Sequence, residues 1–257
     1  AQQFASEIEQ YNSDRKNLDQ QITKEALLQI EDNQEQERFT TVVFQENWHK
    51  GVIGIVASRL IETYYRPTLV FTKSGDKYAA SARSIKGFDV YNALEACSEH
   101  LEQFGGHMYA AGMTLLEENY QLFKDAFEKV VQETIHPDLL TPEITIDAEI
   151  DFTDITPKLT RILKQFEPFG PQNMTPVFLT KNVKDTGYGK PIGQNNEHLK
   201  LFVKQSRGFG TEGIGAIGFG LGNKLERIRN GQPFDIVYSI DENEWNNNTT
   251  LQLKVID

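Results

Sequence analysis

Phe104-Gly-Gly-His-Met-Tyr-Ala-Ala-Gly112 is the stretch on which the reading of the fold turns. Upstream of it, Val90 to Phe104 carries the spacing of an amphipathic helix; downstream, Met113 to Leu116 reads as a short strand leading into a helix near Tyr120–Thr134. The two adjacent glycines lack Cβ atoms, so backbone N–H groups can approach an anion closely. They equally suit the C-cap of a helix that ends there. His107 adds a ring N–H donor or a cation at the same place, and Ala110, Ala111 and Gly112 allow the next segment to pack tightly.

Working outward, the segment before it alternates strands and helices. Thr40-Thr-Val-Val-Phe44 is β-branched, Gly51 to Tyr65 has helical periodicity, Thr68-Leu-Val-Phe71 follows Pro67 as a second strand, and Tyr78 to Ala82 suggests a third. A sheet covered by helices is the expected result. Before it, Phe4, Ile8, Tyr11, Leu18, Ile22, Ala26 and Ile30 form one stripe of a long helix over residues 3–32. Arg15 interrupts that stripe with Asn12 beside it, where a charged side chain either snorkels outward or points toward an anion.

Beyond His136-Pro137 and Thr141-Pro142 the texture changes to short β segments punctuated by Gly, Asn and Pro. Glu143–Phe152, Val177–Thr186, His198–Val203, Gly213–Phe219, Phe234–Ile240 and Thr249–Ile256 are the expected strands, with one helix near Pro157–Phe166. Short strands with a single helix suit a small closed barrel of the OB type. The fold class is therefore α+β: a connecting helix (1–38), an α/β domain (39–137) and an OB-type β-barrel (138–257).

The composition, 39% hydrophobic and 25% charged, is that of a globular chain and not a disordered one. No run approaches the roughly 20 apolar residues that span a bilayer, and a lone Cys97 favours a reducing, cytoplasmic setting. A net charge of −11 argues at first against a nucleic-acid partner, since phosphates are neutralised by Lys and Arg. The charge is uneven, however. Residues 1–38 hold four basic and nine acidic groups, and residues 133–157 hold seven acidic groups and no basic one. Residues 158–230 reverse the balance to twelve basic against five acidic, or +7, before the last segment, 231–257, returns to −4. A basic working face on an acidic body, or a merely solvated basic surface, accounts for that asymmetry.

Two further clusters bear on chemistry. In Ser81-Ala-Arg-Ser84, Arg83 can fork onto a phosphate with hydroxyl donors on either side, and Ser81 and Arg83 share a face if this is a strand. In Trp48-His-Lys-Gly-Val-Ile-Gly-Ile-Val-Ala57 a strand turns into a helix whose free N–H groups could meet a negative charge, with His49 as contact or cap. As an unremarkable surface strand and an ordinary cap, neither needs a ligand.

Taken together, His49-Lys-Gly-Val-Ile-Gly-Ile-Val-Ala-Ser-Arg59, Ser81-Ala-Arg-Ser84 and Gly105-Gly-His-Met-Tyr-Ala-Ala-Gly112 resemble the DHH-associated domain of the RecJ exonucleases, in the DHH phosphoesterase superfamily. Tyr11-Asn-Ser-Asp-Arg15 resembles the helix that connects the family's two catalytic-core domains. Glu167-Pro-Phe-Gly-Pro-Gln-Asn173, Ile217-Gly-Phe219 and Asn243-Glu-Trp245 through Leu251-Gln-Leu-Lys-Val-Ile-Asp257 resemble its OB domain. The resemblance implies the C-terminal portion of a 5′-to-3′ single-stranded-DNA exonuclease of DNA repair and recombination. It implies Ser81, Arg83, Ser84, Gly105, Gly106, His107, His49 and Arg15 as substrate-binding residues. In such enzymes Mn2+ or Mg2+ is held by an Asp-His-His motif in another domain. This sequence has none, and its five His are scattered, so no catalytic residue or metal ligand is assigned to it. Ala1 falls within the helical pattern, which suggests a cut rather than a native start. A stand-alone single-strand-binding module and a phosphoesterase for short oligonucleotides are the alternatives, the barrel arguing against the second. Tyr188, Phe202, Phe219 and Trp245 are candidates to stack on bases, with Phe202 and Phe219 expected in the core.

Overall fold

Alternation of buried and exposed side chains in the strands builds two separate sheets. The computed structural model describes residues 2–205, 213–245 and 248–257, and contacts divide the chain into Ala1–Glu143 and Ile144–Asp257.

The first unit opens with helix α1 (Gln2–Asp32), followed by strand β1 (Thr41–Phe44), helix α2 (Ile53–Thr63), strands β2 (Thr68–Ser74) and β3 (Lys77–Arg83) and helix α3 (Val90–Glu95). The hairpin of β4 (Gln103–His107) and β5 (Ala110–Leu115) and helix α4 (Tyr120–Thr134) complete it. The sheet runs β1-β2-β3-β5-β4, parallel only at β1–β2, where α2 makes the crossover. One face carries Leu69, Phe71, Ala80, Ala82 and Met113 against Phe123 and Phe127 of α4 and Leu94 of α3. The other carries Val43 and Val70 against Ile22, Ala26 and Ile30 of α1 and Ile53, Val56 and Leu60 of α2.

Two expectations need correction here. The helix read from Val90 to Phe104 stops at Glu95; a 3-10 turn at Ser98–His100 follows, and then β4. Asp89 starts it by accepting hydrogen bonds from the N–H groups of Tyr91 and Asn92. The apolar positions Leu94, Cys97, Leu101 and Phe104 do keep helical spacing, but the last two reach the same core from extended chain. Gly105 and Gly106 are consequently strand residues paired with Gly112 and Ala111, not a helix cap. The stripe of α1 is also only half used: Leu18 to Ile30 pack, while Phe4, Ile8 and Tyr11 are about 70% exposed.

The second unit contains β6 (Ala148–Glu149), α5 (Pro157–Lys164), β7 (Phe178–Asp185), β8 (Lys190–Ile192), β9 (His198–Gln205), β10 (Ile214–Gly218), α6 (Leu225–Ile228), β11 (Phe234–Trp245) and β12 (Asn248–Val255). Pairing runs β7-β11-β12-β10-β9, and an additional β7–β9 ladder closes the ring, with β10 and β12 parallel. This five-stranded closure is the OB topology. Leu199, Leu201 and Val203 of β9, Ala216, Ile236, Tyr238 and Leu253 fill the interior. The Tyr238 hydroxyl is paired with Thr180 Oγ1 at 2.8 Å, so the barrel's largest buried side chain leaves no polar atom unmet. Of the strand expected over Glu143–Phe152, only Ala148–Glu149 pairs, because Asp151 and Asp154 form a capping box that turns the chain into a 3-10 helix.

Candidate nucleic-acid interface

Strand register decides which sequence motifs meet. Ser81 pairs with Gly112, and Gly112 with Gly105; in the next row Arg83 pairs with Ala110, and Ala110 with His107. Side chains two apart on a strand share a face, so Ser81, Arg83, Gly105, Gly112 and His107 all lie on the side that carries α1 and α2. Their floor is nearly bare of side chains. A depression of about 340 Å³ borders the Gly105–Gly112 row on the side away from Arg83 and His107, lined by Lys50, Ala79, Gln103, Gly105, Gly112 and Thr114 among others. Arg83 and His107 stand two strands apart, roughly 10 Å between backbones, with only the Ala110 methyl between them.

The first turn of α2 completes this site. A Cβ on Gly54 would stand 2.8 Å from Arg83 Nη2 and 3.0 Å from Ser81 Oγ, so the glycine is what lets the guanidinium lie against the helix. Arg83 is half-buried and held by its Nη1, which donates to Ser81 Oγ at 3.2 Å and to the Ala82 carbonyl at 2.8 Å. The leading N–H groups of a helix have no intrahelical acceptor, and together with the dipole they favour an anion beside that guanidinium.

Both histidines take the same posture. His49 Nδ1 accepts from the Gly51 N–H at 3.0 Å, and His107 Nδ1 accepts from the Tyr109 N–H at 3.2 Å. With Nδ1 so engaged, Nε2 is the ring atom each exposed imidazole has left to offer a ligand. His49 thus caps the turn into α2 and keeps Nε2 for a ligand as well. The other two named residues are placed differently. Ser84 lies past the end of β3 with its hydroxyl donating to the Phe88 carbonyl at 2.8 Å. Gly106 faces away from the depression, beside Ala111; at φ +152° its Cβ would come within 2.3 Å of the Ala110 oxygen, so this position requires glycine for backbone reasons. Lys50, at the rim, is a residue the sequence reading passed over, although it stands inside the quoted motif immediately before Gly51.

Arg15 is not part of this floor. Its Nη2 donates to Asn12 Oδ1 at 2.7 Å, and its Nη1 lies 3.6 Å from Asp19.

On the barrel, β9 alternates inward Leu199, Leu201, Val203 and Gln205 with outward Lys200, Phe202 and Lys204. Phe202 is 40% and Phe219 55% exposed, which corrects their expected place in the core: Phe202 faces outward on β9, and Phe219 lies in the turn just past β10. Gly213 leaves room beside the Phe202 ring, a Cβ there reaching 2.4 Å from it, and Gly215 pairs with Phe202 across the ladder. Phe202, Gly215, Asn243, Thr250 and Gln252 with Lys200 line a cavity of about 860 Å³, with no carboxylate among the described residues that line it. Lys254 Nζ lies 5.9 Å from the centre of the Phe219 ring, and His198 meets the same ring edge-on. Lysines interleaved with exposed aromatics suit a backbone whose bases stack. Tyr188 is 75% exposed; the side chain of Trp245 lies outside the described residues. Period-two alternation in His198–Gln205 was the signal that could have placed Lys200 and Lys204 beside Phe202.

Comparison with known proteins agrees with this division. A model of the DHHA1 domain matches residues 36–133, and a model of the RecJ OB domain matches residues 146–257. The single-stranded-DNA-specific exonuclease RecJ of Bacillus subtilis (strain 168) is 33% identical over 259 aligned positions, which take in all of this chain and 32% of that protein. RecJ of Escherichia coli (strain K12) is 30% identical over 269, covering 45% of it. The chain thus spans between a third and a half of the length of these relatives. Among solved structures, RecJ of Thermus thermophilus in complex with Mn2+ superposes with a TM-score of 0.73 at 24% identity, over 98% of this chain and 35% of that one.

Proposed function

Since the chain belongs to the RecJ family, with a DHHA1 domain followed by a RecJ OB domain, we propose that it grips the substrate strand of a 5′-to-3′ single-stranded-DNA exonuclease of DNA repair and recombination. The observation that carries this reading is that Ser81, Arg83, Gly105 and His107 share one face of the sheet, with Ser81 and Arg83 beside the first turn of α2. In it, Arg83 and His107 hold phosphate oxygens, and Ser81 and the Gly105 backbone border the same anion. Fixing a phosphodiester in this way supplies the positioning part of hydrolysis. Lys200 and Lys204 track the backbone along the barrel while Phe202, Phe219 and Tyr188 stack on bases.

The divalent ion of the reaction is assigned elsewhere. Mn2+ and Mg2+ accompany RecJ in solved structures, but among the described residues no group of three His, Cys, Asp or Glu side chains could hold one. These residues do not fit a metal site, and no step through the ion is derived from them. A cytoplasmic place of action belongs to the same reading; no helix among the described residues is long and apolar enough to cross a membrane.

Titrating this chain with fluorescent oligonucleotides at two salt concentrations tests the proposal. Single strands should bind better than duplex, whose bases are already stacked, and affinity should fall as salt rises. Arg83→Ala should weaken binding about tenfold or more, as loss of a charge-assisted hydrogen bond does. Equal affinity for single and double strands, or no dependence on salt, would leave the basic stretch a solvated surface.

A further inference from the structure

Away from the sheet floor, one carboxylate stands between two guanidiniums where α1 crosses α2. Asp19 is fully buried. Arg59 Nε of α2 lies 2.8 Å from its Oδ1, and Arg15 Nη1 of α1 lies 3.6 Å from its Oδ2. Neither carboxylate oxygen nor Arg59 Nε has a hydrogen bond of proper geometry, so the contact is electrostatic and not a forked pair. Burying a carboxylate with unmet oxygens is costly, and helix packing alone would be served as well by an apolar residue on that stripe. What the arrangement achieves is different. One negative charge holds two positive ones, leaving a local excess of +1, and the two guanidiniums remain 45% and 36% exposed. Asn12 fixes the remaining edge of Arg15 through Nη2. The triad lies where the packed half of α1 gives way to the exposed half, with Ile22 buried beyond it and Tyr11 open.

We propose that Arg15 and Arg59 form a second anion site for a phosphate group, with Asp19 as the positioning residue that aims both guanidiniums outward. The proposal rests on the strand-binding reading above and extends the grip to a phosphate beyond the sheet floor. Guanidinium forks match phosphate geometry, and holding them ready in advance removes much of the ordering cost of binding.

Asp19→Asn separates positioning from bulk charge. It raises the net charge of the chain by one, so a merely electrostatic surface would bind an oligonucleotide more tightly. A positioning residue predicts the reverse, a loss of about fivefold, the scale of a partly exposed ion pair. Arg59→Lys keeps the charge opposite Asp19, and with it the fold, while removing the fork; it should lose binding by a similar factor at an unchanged melting temperature. Both are measured on this chain by anisotropy with a fluorescein-labelled single-stranded oligonucleotide, below the melting temperature of each variant, with Arg83→Gln alongside. A parallel thermal melt with inorganic phosphate separates the sources: a shift lost in Arg59→Lys assigns the site to any free phosphate, and loss of oligonucleotide binding alone assigns it to the strand's phosphodiesters. Tighter or equal binding by Asp19→Asn, or wild-type binding by Arg59→Lys, overturns the second site. If Arg83→Gln also binds like wild type, the strand-binding reading itself has failed.

Discussion

Replacing Gly54 by alanine should strengthen the fold while weakening the grip on phosphate. Alanine is favoured over glycine within a helix by about 0.5–1 kcal/mol, and Gly54 is the second residue of α2. For a chain of this size that corresponds to a rise of roughly 2 °C in melting temperature. The added methyl would stand 2.8 Å from Arg83 Nη2 and 3.0 Å from Ser81 Oγ, too close for either to remain in place. Nη2 is the far end of a flexible, half-exposed side chain, so the guanidinium swings aside at small cost to the fold. It leaves the Ser81 hydroxyl and the Ala82 carbonyl that now hold it at 3.2 and 2.8 Å. A phosphate bound there would lose charge-assisted hydrogen bonds worth about 1.5–3 kcal/mol, or roughly ten- to a hundredfold in affinity. Differential scanning fluorimetry and anisotropy with a single-stranded oligonucleotide read the two effects on one preparation. Unchanged affinity with a raised melting temperature would show that Arg83 does not bind from this position. Affinity and stability falling together would show that the helix, not the side chain, gives way, and that outcome too refutes the argument.

Phe202→Ala should lower single-strand affinity by about 1–3 kcal/mol, the scale of one stacked base, and barely move the melting temperature, since the ring is 40% exposed. Tyr238→Phe should cost the barrel about 1 kcal/mol in a denaturant melt, because Thr180 Oγ1 retains its bond to the Ile150 carbonyl at 2.7 Å. The purified chain, incubated with Mn2+, should leave a single-stranded oligonucleotide intact on a denaturing gel; metal-dependent shortening would sink the assignment of the ion to another part of the protein. Hydrogen bonds from Gln21 and from the Trp48 indole, the latter at 2.8 Å, hold the Glu25 carboxyl below the usual carboxylate range. Its folded pKa lies under the unfolded one, so its contribution is present at neutral pH and is lost as pH falls through the folded value. Glu25→Gln should therefore flatten the acid limb of a stability-against-pH curve.

The class of each unit was legible in the residues. Phe4 to Ile30 announced a long helix, Thr40–Phe44 and Thr68–Phe71 announced strands, and the short Gly- and Asn-punctuated segments after residue 143 announced a barrel. Local periodicity records how a segment buries one side, and it survives folding wherever a partner covers that side. It failed where two local readings were nearly equal. Leu94, Cys97, Leu101 and Phe104 keep helical spacing, yet Phe104 opposite Met113 and Gly105 opposite Gly112 made the hairpin win. Only the tertiary structure decided that Ser81, Gly112 and Gly105 share one row and Arg83, Ala110 and His107 the next. It likewise decided that Phe202 faces outward between two lysines and that Asp19 lies beneath two arginines. A sequence period states which side chains share a face, but strand order and register, settled by contacts between distant residues, determine which faces meet and which stay open.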